Sequence, residues 1–263
     1  MFVPRFITAI VLLAVCVSAL LLLPGVAWAA LLLPVLLLAA WEWGGLAGMA
    51  ATVRWVFAGA ILASAAVTWW LAAGGVPGFE IGIYVAGGVF WLFAALPWMF
   101  RQWRVESSLW MGVAGWFVLV PAWLALARLQ ADPGKLLALL GVIWLSDTAA
   151  YLAGRAWGRH KLAPAISPGK TWEGVAGAVA AVAVYYVVLS IFATGWSGFG
   201  GPILFASVTL MGIAGDLFES WIKRQAAVKD SGSLLPGHGG VLDRIDSITA
   251  ALPVAALLLP YAS

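Results

Sequence analysis

Between Gly215 and Asp246 the chain interleaves carboxylates, cations and glycines in a pattern suited to holding a metal ion and phosphates. It opens with Gly215-Asp216-Leu217-Phe218-Glu219-Ser220-Trp221-Ile222-Lys223-Arg224, in which Asp216, Ser220, Lys223 and Arg224 recur at spacings of three and four and share one helical face. Lys229-Asp230-Ser231-Gly232-Ser233 follows, then Pro236-Gly237-His238-Gly239-Gly240 and Val241-Leu242-Asp243-Arg244-Ile245-Asp246. Asp216, Asp243 and Asp246 are hard oxygen ligands, the type Mg2+ uses when one or two protein carboxylates and substrate phosphates complete its octahedron. Internal salt bridges to Lys223 or Arg244 are the competing use of the same groups. Two histidines and one cysteine in the whole chain argue against zinc, so His238 reads as a residue that orients a loop or bonds a phosphate.

A second window runs from Gly154-Arg155 through Arg159-His160-Lys161-Leu162-Ala163-Pro164-Ala165-Ile166 to Ser167-Pro168-Gly169-Lys170-Thr171-Trp172-Glu173-Gly174. Retention of positive charge on one side of a membrane would explain its Arg and Lys, but has no use for the Ser-Pro-Gly-Lys-Thr turn, whose backbone donors and ammonium suit a phosphate. Gly169-Lys170-Thr171 imitates the end of a Walker loop, which also needs an earlier glycine at 164 and a strand in front. Position 164 is proline and no strand is expected, so an ATPase is excluded and a lysine beside phosphates remains. Asp147, in Ser146-Asp147-Thr148, falls inside an apolar run, where a carboxylate is a functional candidate unless its neighbouring hydroxyls cap it. His160 is assigned to loop structure.

The elements that position these groups follow from composition. The chain of 263 residues is 64% apolar and 10% charged, against roughly 25% charged in soluble domains, and its mean hydropathy is +1.02. A soluble fold is ruled out. Since ~20 apolar residues cross a hydrocarbon core, breaks at Pro, Gly and charge predict nine membrane helices, at 5–23, 26–43, 53–73, 80–99, 108–128, 134–154, 173–193, 202–220 and 247–261. The fold class is an all-α polytopic bundle: residues 1–133 form a scaffold and 134–263 a catalytic region with loops at 155–173 and 221–246. Arg5, the apolar stretch to Leu23 and Ala27-Trp28-Ala29 imitate a signal peptide, but the run exceeds the usual ~7–15 residues and a second follows at once, so a retained first helix is expected. The seventeen tryptophans read as interfacial belts, and Cys16 as inert packing that excludes an internal disulfide. Small residues such as Gly174 and Gly177 suit close helix packing.

Charge sets the orientation. Of the 14 Lys and Arg, twelve fall at the N-terminus or after helices 2, 4, 6 and 8, and two, Arg128 and Lys135, on the other side. Positive loops stay in the cytoplasm, which places the N-terminus and both charged windows there. Within them, residues 155–173 and 216–246 carry five and nine charged residues in under a fifth of the length. The net charge of +3 is too small to call for a nucleic-acid partner.

The window from Gly215 to Asp246 closely resembles the integral-membrane phosphatidate cytidylyltransferases, or CDP-diacylglycerol synthases. Their signature, Ser-x-x-Lys-Arg, four residues, Lys-Asp, then Pro-x-His-Gly-Gly-x-x-Asp-Arg-x-Asp, is met by Ser220, Lys223, Arg224, Lys229, Asp230, Pro236, His238, Gly239, Gly240, Asp243, Arg244 and Asp246. Lys161-Leu162-Ala163-Pro164, Ser167-Pro168-Gly169-Lys170-Thr171 and Glu173-Gly174 resemble the family's preceding loop. The resemblance covers roughly residues 144 to 250.

It implies the reaction CTP + phosphatidate giving CDP-diacylglycerol + pyrophosphate, in a bacterial inner membrane. It also implies Mg2+, with Mn2+ as a substitute and room for a second cation, and a homodimer. On this reading Asp216 and Asp243 are metal ligands and Asp246 and Asp230 reserves. Lys170, Lys223, Arg224, Lys229 and Arg244 offset phosphate charge, Gly239 and Gly240 bring amides close, and Arg155, Ser167, Thr171, Ser220 and His238 contact substrate. The enzyme alternative is a CTP-dependent polyprenol or phytol kinase, distinguished by releasing CDP. An ion-coupled transporter using Asp147 and Asp216 would distribute charge through the helices rather than gather it on one face.

Overall fold

A computed structural model describes residues 14–193, 195–196, 200–232 and 239–262. The start of the first expected helix and His238 lie outside these residues. Residues 14–22 are the described part of α1. Then come α2 (Gly25–Leu46), α3 (Ala51–Ala73), α4 (Phe79–Phe90), a π turn (Trp91–Ala95), α5 (Leu96–Phe100), α6 (Ser108–Leu129) and α7 (Pro133–Trp157). After them follow β1 (Lys161–Ala163), β2 (Ser167–Thr171), α8 (Trp172–Phe192), α9 (Gly200–Gln225) and α10 (Leu242–Leu258), which runs into a 3-10 turn. Seven of these helical rods, with α4, the π turn and α5 counted as one, are long and apolar enough to cross a membrane. The protein is an all-α polytopic membrane bundle.

Helix starts follow local chemistry. Ser107, Asp132 and Thr171 occupy the N-cap positions of α6, α7 and α8 and accept the amides of Trp110, Lys135 and Gly174. The π turn precedes Pro97, whose missing N–H and ring disturb the i−4 bonding of a regular helix. Pro34, Pro121 and Pro253 are carried inside helices; Pro121 and Pro253 are buried among neighbouring helices, while Pro34 lies on an exposed face of α2.

Three boundaries differ from the sequence expectation in ways that matter. Helix α7 extends to Trp157 and carries Arg155, while α9 extends to Gln225 and carries Lys223 and Arg224. Helix α10 begins at Leu242 rather than 247, which puts Asp243 and Asp246 on its first turns. The loop after α7, expected to lack strands, forms an antiparallel hairpin that pairs Lys161 with Thr171 and Ala163 with Ser167. Lys170 therefore sits in a strand, not at the head of a phosphate loop, and its separation from a Walker motif stands on geometry as well as on Pro164.

Packing aims the charged ends at one another. Helices α7 and α8 pair closely, as do α9 and α10, and α10 also touches α2, α4, α6 and α7. Glycines set these approaches: a Cβ on Gly177 would overlap Ala153 of α7, and one on Gly215 would overlap the Asp246 carbonyl of α10. The tryptophans are not simply belts. Trp43, Trp91 and Trp98 are buried around Phe218 of α9, with centroid distances of 6.4, 5.3 and 5.4 Å. That cluster fixes the rotation of α9 and so the direction of Asp216, two residues earlier. Cys16, expected to pack inside, is exposed on α1.

Candidate active site

Residues of the two charged windows converge on a cavity of about 480 Å³, within the about 300–1,000 Å³ typical of small-molecule sites. One wall comes from α7 and the hairpin, with Asp147, Arg155, Ser167, Lys170 and Thr171. The other comes from α9 and α10, with Asp216, Asp243, Asp246 and Ser247. The contact that joins them is Lys170 Nζ to Asp216 Oδ2 at 2.7 Å, both side chains partly open to the cavity. Asp216 also accepts a long 3.4 Å bond from Ser220, one helical turn on.

Asp147, Asp216 and Asp246 lie near enough for their charges to repel. The hydroxyls beside Asp147 do not cap it, because Ser146 and Thr148 donate to the carbonyls of Ile143 and Trp144. Asp147 shares its hydrogen bond with Ser247 of α10 instead. These are hard oxygen donors of one sign, offset by a single ammonium, and they suit a hard cation. No three of the described His, Cys, Asp or Glu side chains cage an ion by themselves. That fits a cation such as Mg2+, whose shell is completed by phosphate oxygens and water.

Lys223, Glu219 and Asp243, the last also on the cavity lining, form a second, tighter cluster with Ser231 and Gly240. Lys223 Nζ bonds Asp243 Oδ1 at 2.5 Å and Glu219 Oε2 at 2.7 Å, and its side chain is only 13% exposed. Asp243 Oδ2 accepts the Ser231 amide at 3.0 Å, the Gly240 amide at 2.8 Å and the Ser231 hydroxyl at 3.0 Å. Burial works against the Asp243 charge, but the Lys223 bond and the amides of Gly240 and Ser231 outweigh it and hold its carboxyl down at about 2. Gly239, at φ 79°, and Gly240 bring backbone up to carboxylates of the protein itself: a Cβ on Gly239 would lie 2.8 Å from Asp243 Oδ2, and one on Gly240 would overlap Ser231 and Glu42.

Similarity to known proteins covers almost the whole chain. The description "Cytidylyltransferase family" matches residues 3–262. A Pseudomonas aeruginosa protein named phosphatidate cytidylyltransferase is 40% identical over 97% of this chain and 96% of its own length. The chain belongs to the cytidylyltransferase family. A Haemophilus influenzae relative of the same name is 34% identical over 95% of both chains, and a Brucella suis one is 44% identical over 68% of this chain and 63% of its own. The family match thus extends well beyond the 144–250 stretch that carries the signature.

Several family-signature positions stand outside the cavity lining. Arg224 is exposed, and its Nε reaches the Ile166 carbonyl at 3.4 Å, tying α9 to the hairpin. Lys229, Asp230 and Arg244 are exposed at the surface, and Lys223, Gly239 and Gly240 are committed to the inner cluster. His160 closes the hairpin base, its Nδ1 2.6 Å from Glu173 Oε1. Thr171 lines the cavity while its hydroxyl caps α8. Sequence reasoning passed over Glu42 and Glu219. Glu219 had a signal, its place one turn before Lys223; Glu42 had only its isolation as the sole charge of α2.

Proposed function

We propose that this protein is a phosphatidate cytidylyltransferase, transferring the cytidylyl group of CTP to phosphatidate to give CDP-diacylglycerol and pyrophosphate. The observation that carries the reading is the meeting of Lys170 with Asp216 and Asp246 in one cavity at the helix ends, in a chain similar along its whole length to enzymes of that name.

A phosphatidate phosphate oxygen attacks the α-phosphorus of CTP in line. The new O–P bond forms as the bond to the bridging α–β oxygen breaks, and pyrophosphate leaves with that electron pair. Such transfers need positioning and charge neutralisation more than covalent help. Lys170 and Arg155, from the hairpin wall, offset the charge on the phosphates, and Ser167 and Thr171 orient them. Arg224, Lys229 and Arg244, exposed outside the cavity lining as is Asp230, draw the anionic substrates in.

Asp216 is the proposed principal ligand of Mg2+, which when bound neutralises charge on the reacting phosphates. For the second ligand the geometry favours Asp246 over Asp243. Both oxygens of Asp243 are already held by Lys223, Ser231 and Gly240, whereas Asp246 lines the cavity on the same wall as Asp216 and close enough to feel its charge. Asp243 and Lys223 then hold the wall in shape.

The distribution of Lys and Arg supports a cytoplasmic site in a bacterial plasma membrane, open both to CTP and to a lipid that keeps its acyl chains in the bilayer. A homodimer belongs to the same reading; α8, the least buried of the seven apolar rods, leaves a face for it.

The test is pyrophosphate release by purified protein in detergent micelles with CTP and Mg2+, with and without phosphatidate and against ATP. Release that needs both CTP and phosphatidate and stops on chelation is the expected result. CDP released on an isoprenoid alcohol would replace this reading with a kinase.

A further inference from the structure

Glu42 is the one charge in α2, a 22-residue apolar helix, and it is 3% exposed. A carboxylate in such a helix is costly unless its oxygens are fully engaged. Here they are. Oε1 accepts the Val241 amide at 3.0 Å, and Oε2 accepts the Leu242 amide at 2.8 Å and shares the single Ser231 hydroxyl proton, at 3.0 Å, with Asp243.

The choice of partners carries the argument. Val241 is the N-cap of α10 and has no side-chain cap of its own, so its amide and that of Leu242 are among the donors a helix start leaves unpaired. Glu42 satisfies both from another helix and sets a negative charge at the positive end of α10. It also grips the other flank of the loop through Ser231, which in turn donates its amide to Asp243. The fit is close: a Cβ on Gly232 or Gly240 would overlap the Glu42 carboxylate. One residue past this grip is Asp243, and one turn further Asp246 lines the cavity.

We infer that Glu42 is a positioning residue for the transfer reaction: reaching across from the N-terminal half, it clasps both flanks of the signature loop and sets the rotation at which α10 presents Asp246. The inference rests on the cytidylyltransferase reading above.

The test measures kcat and KM for CTP and phosphatidate per folded molecule, with thermal midpoints, for Glu42→Ala, Glu42→Gln and Ser231→Ala. Leu124→Ala, a buried α6 change away from the cavity lining, is the stability control. Misplacement of reacting groups by a fraction of an ångström to an ångström lowers kcat by up to about 100-fold, the loss expected for Glu42→Ala. Glu42→Gln keeps one acceptor and loses about 10-fold, and Ser231→Ala loses less, with KM little changed in each. Amide hydrogen exchange at Val241 and Leu242 rises in the Glu42 variants and not in Leu124→Ala.

Unchanged kcat per folded molecule in Glu42→Gln or Glu42→Ala would overturn the inference. So would failure of both Glu42→Gln and Ser231→Ala to fold, which would make the contact purely structural. A parent enzyme that releases no pyrophosphate would overturn the underlying reading instead, and the exchange measurement separates the two.

Discussion

The two walls of the cavity handle charge in opposite ways. The hairpin wall holds its cations open: Lys170 has a single carboxylate partner and lies toward the cavity, and Arg155 is exposed beside it. The wall behind α10 uses its charges on itself, in a chain of contacts from Glu42 through Ser231 and Asp243 to Lys223 and Glu219. The denser motif is therefore in large part a clasp, and the sparser loop supplies the groups free to meet a ligand. Motif density measures how tightly a segment is constrained, which is not the same as how many of its side chains touch substrate.

The sharpest way to break that comparison is at Asp216, where the walls meet. Asp216→Asn keeps the shape and removes one charge, and kcat should fall about 1,000-fold with the protein still in the membrane, as when a key transition-state contact is lost. Near-normal turnover across a Mg2+ titration would remove Asp216 from the site. Lys223 and Lys170 then separate the walls. Lys223→Met leaves Asp243 and Glu219 buried without their cation, and should destabilise the folded protein by about 3 kcal/mol in a denaturation series. Lys170→Met should leave the thermal midpoint nearly unchanged and lower kcat about 100-fold. A stable Lys223→Met with a large kcat loss would reverse the assignment.

The sequence made the bundle legible because spans are written in runs of apolar residues, which need no tertiary information. Helices α2 to α9 follow the expected segments to within a few residues, and the charge count brought both windows to one end. The misses came where partners are distant in the chain. Nothing near Glu42 signals that it caps a helix 200 positions away, and nothing near Trp91 says that it packs on Phe218. Asp243 and Asp246 look alike in the motif, and only the donors around them tell a saturated carboxylate from an open one. The hairpin was missed because strands of three and five residues are too short to show a period of two.

The smallest effect tests the comparison at its least obvious point, Thr171, which belongs to the open wall yet behaves like a member of the clasp. Its Oγ1 accepts the Gly174 amide at 3.1 Å, and glycines crowd it: a Cβ on Gly154 would lie 2.9 Å from Oγ1, and one on Gly158 2.8 Å from Cγ2. Accepting that amide leaves the hydroxyl proton free to donate into the cavity, so the same atom can cap α8 and hold a phosphate oxygen. Thr171→Ser keeps both abilities and should preserve stability and rate. Thr171→Ala removes both. If capping dominates, stability drops by about 1 kcal/mol while KM for CTP moves less than about two-fold. A rise in KM of about ten-fold with no loss of stability would make Thr171 a substrate contact, as its place in the loop suggested. Because an uncapped α8 would also loosen the strand that carries Lys170, the two outcomes differ further in kcat: capping loss lowers it, and loss of a uniform binding contact leaves it alone.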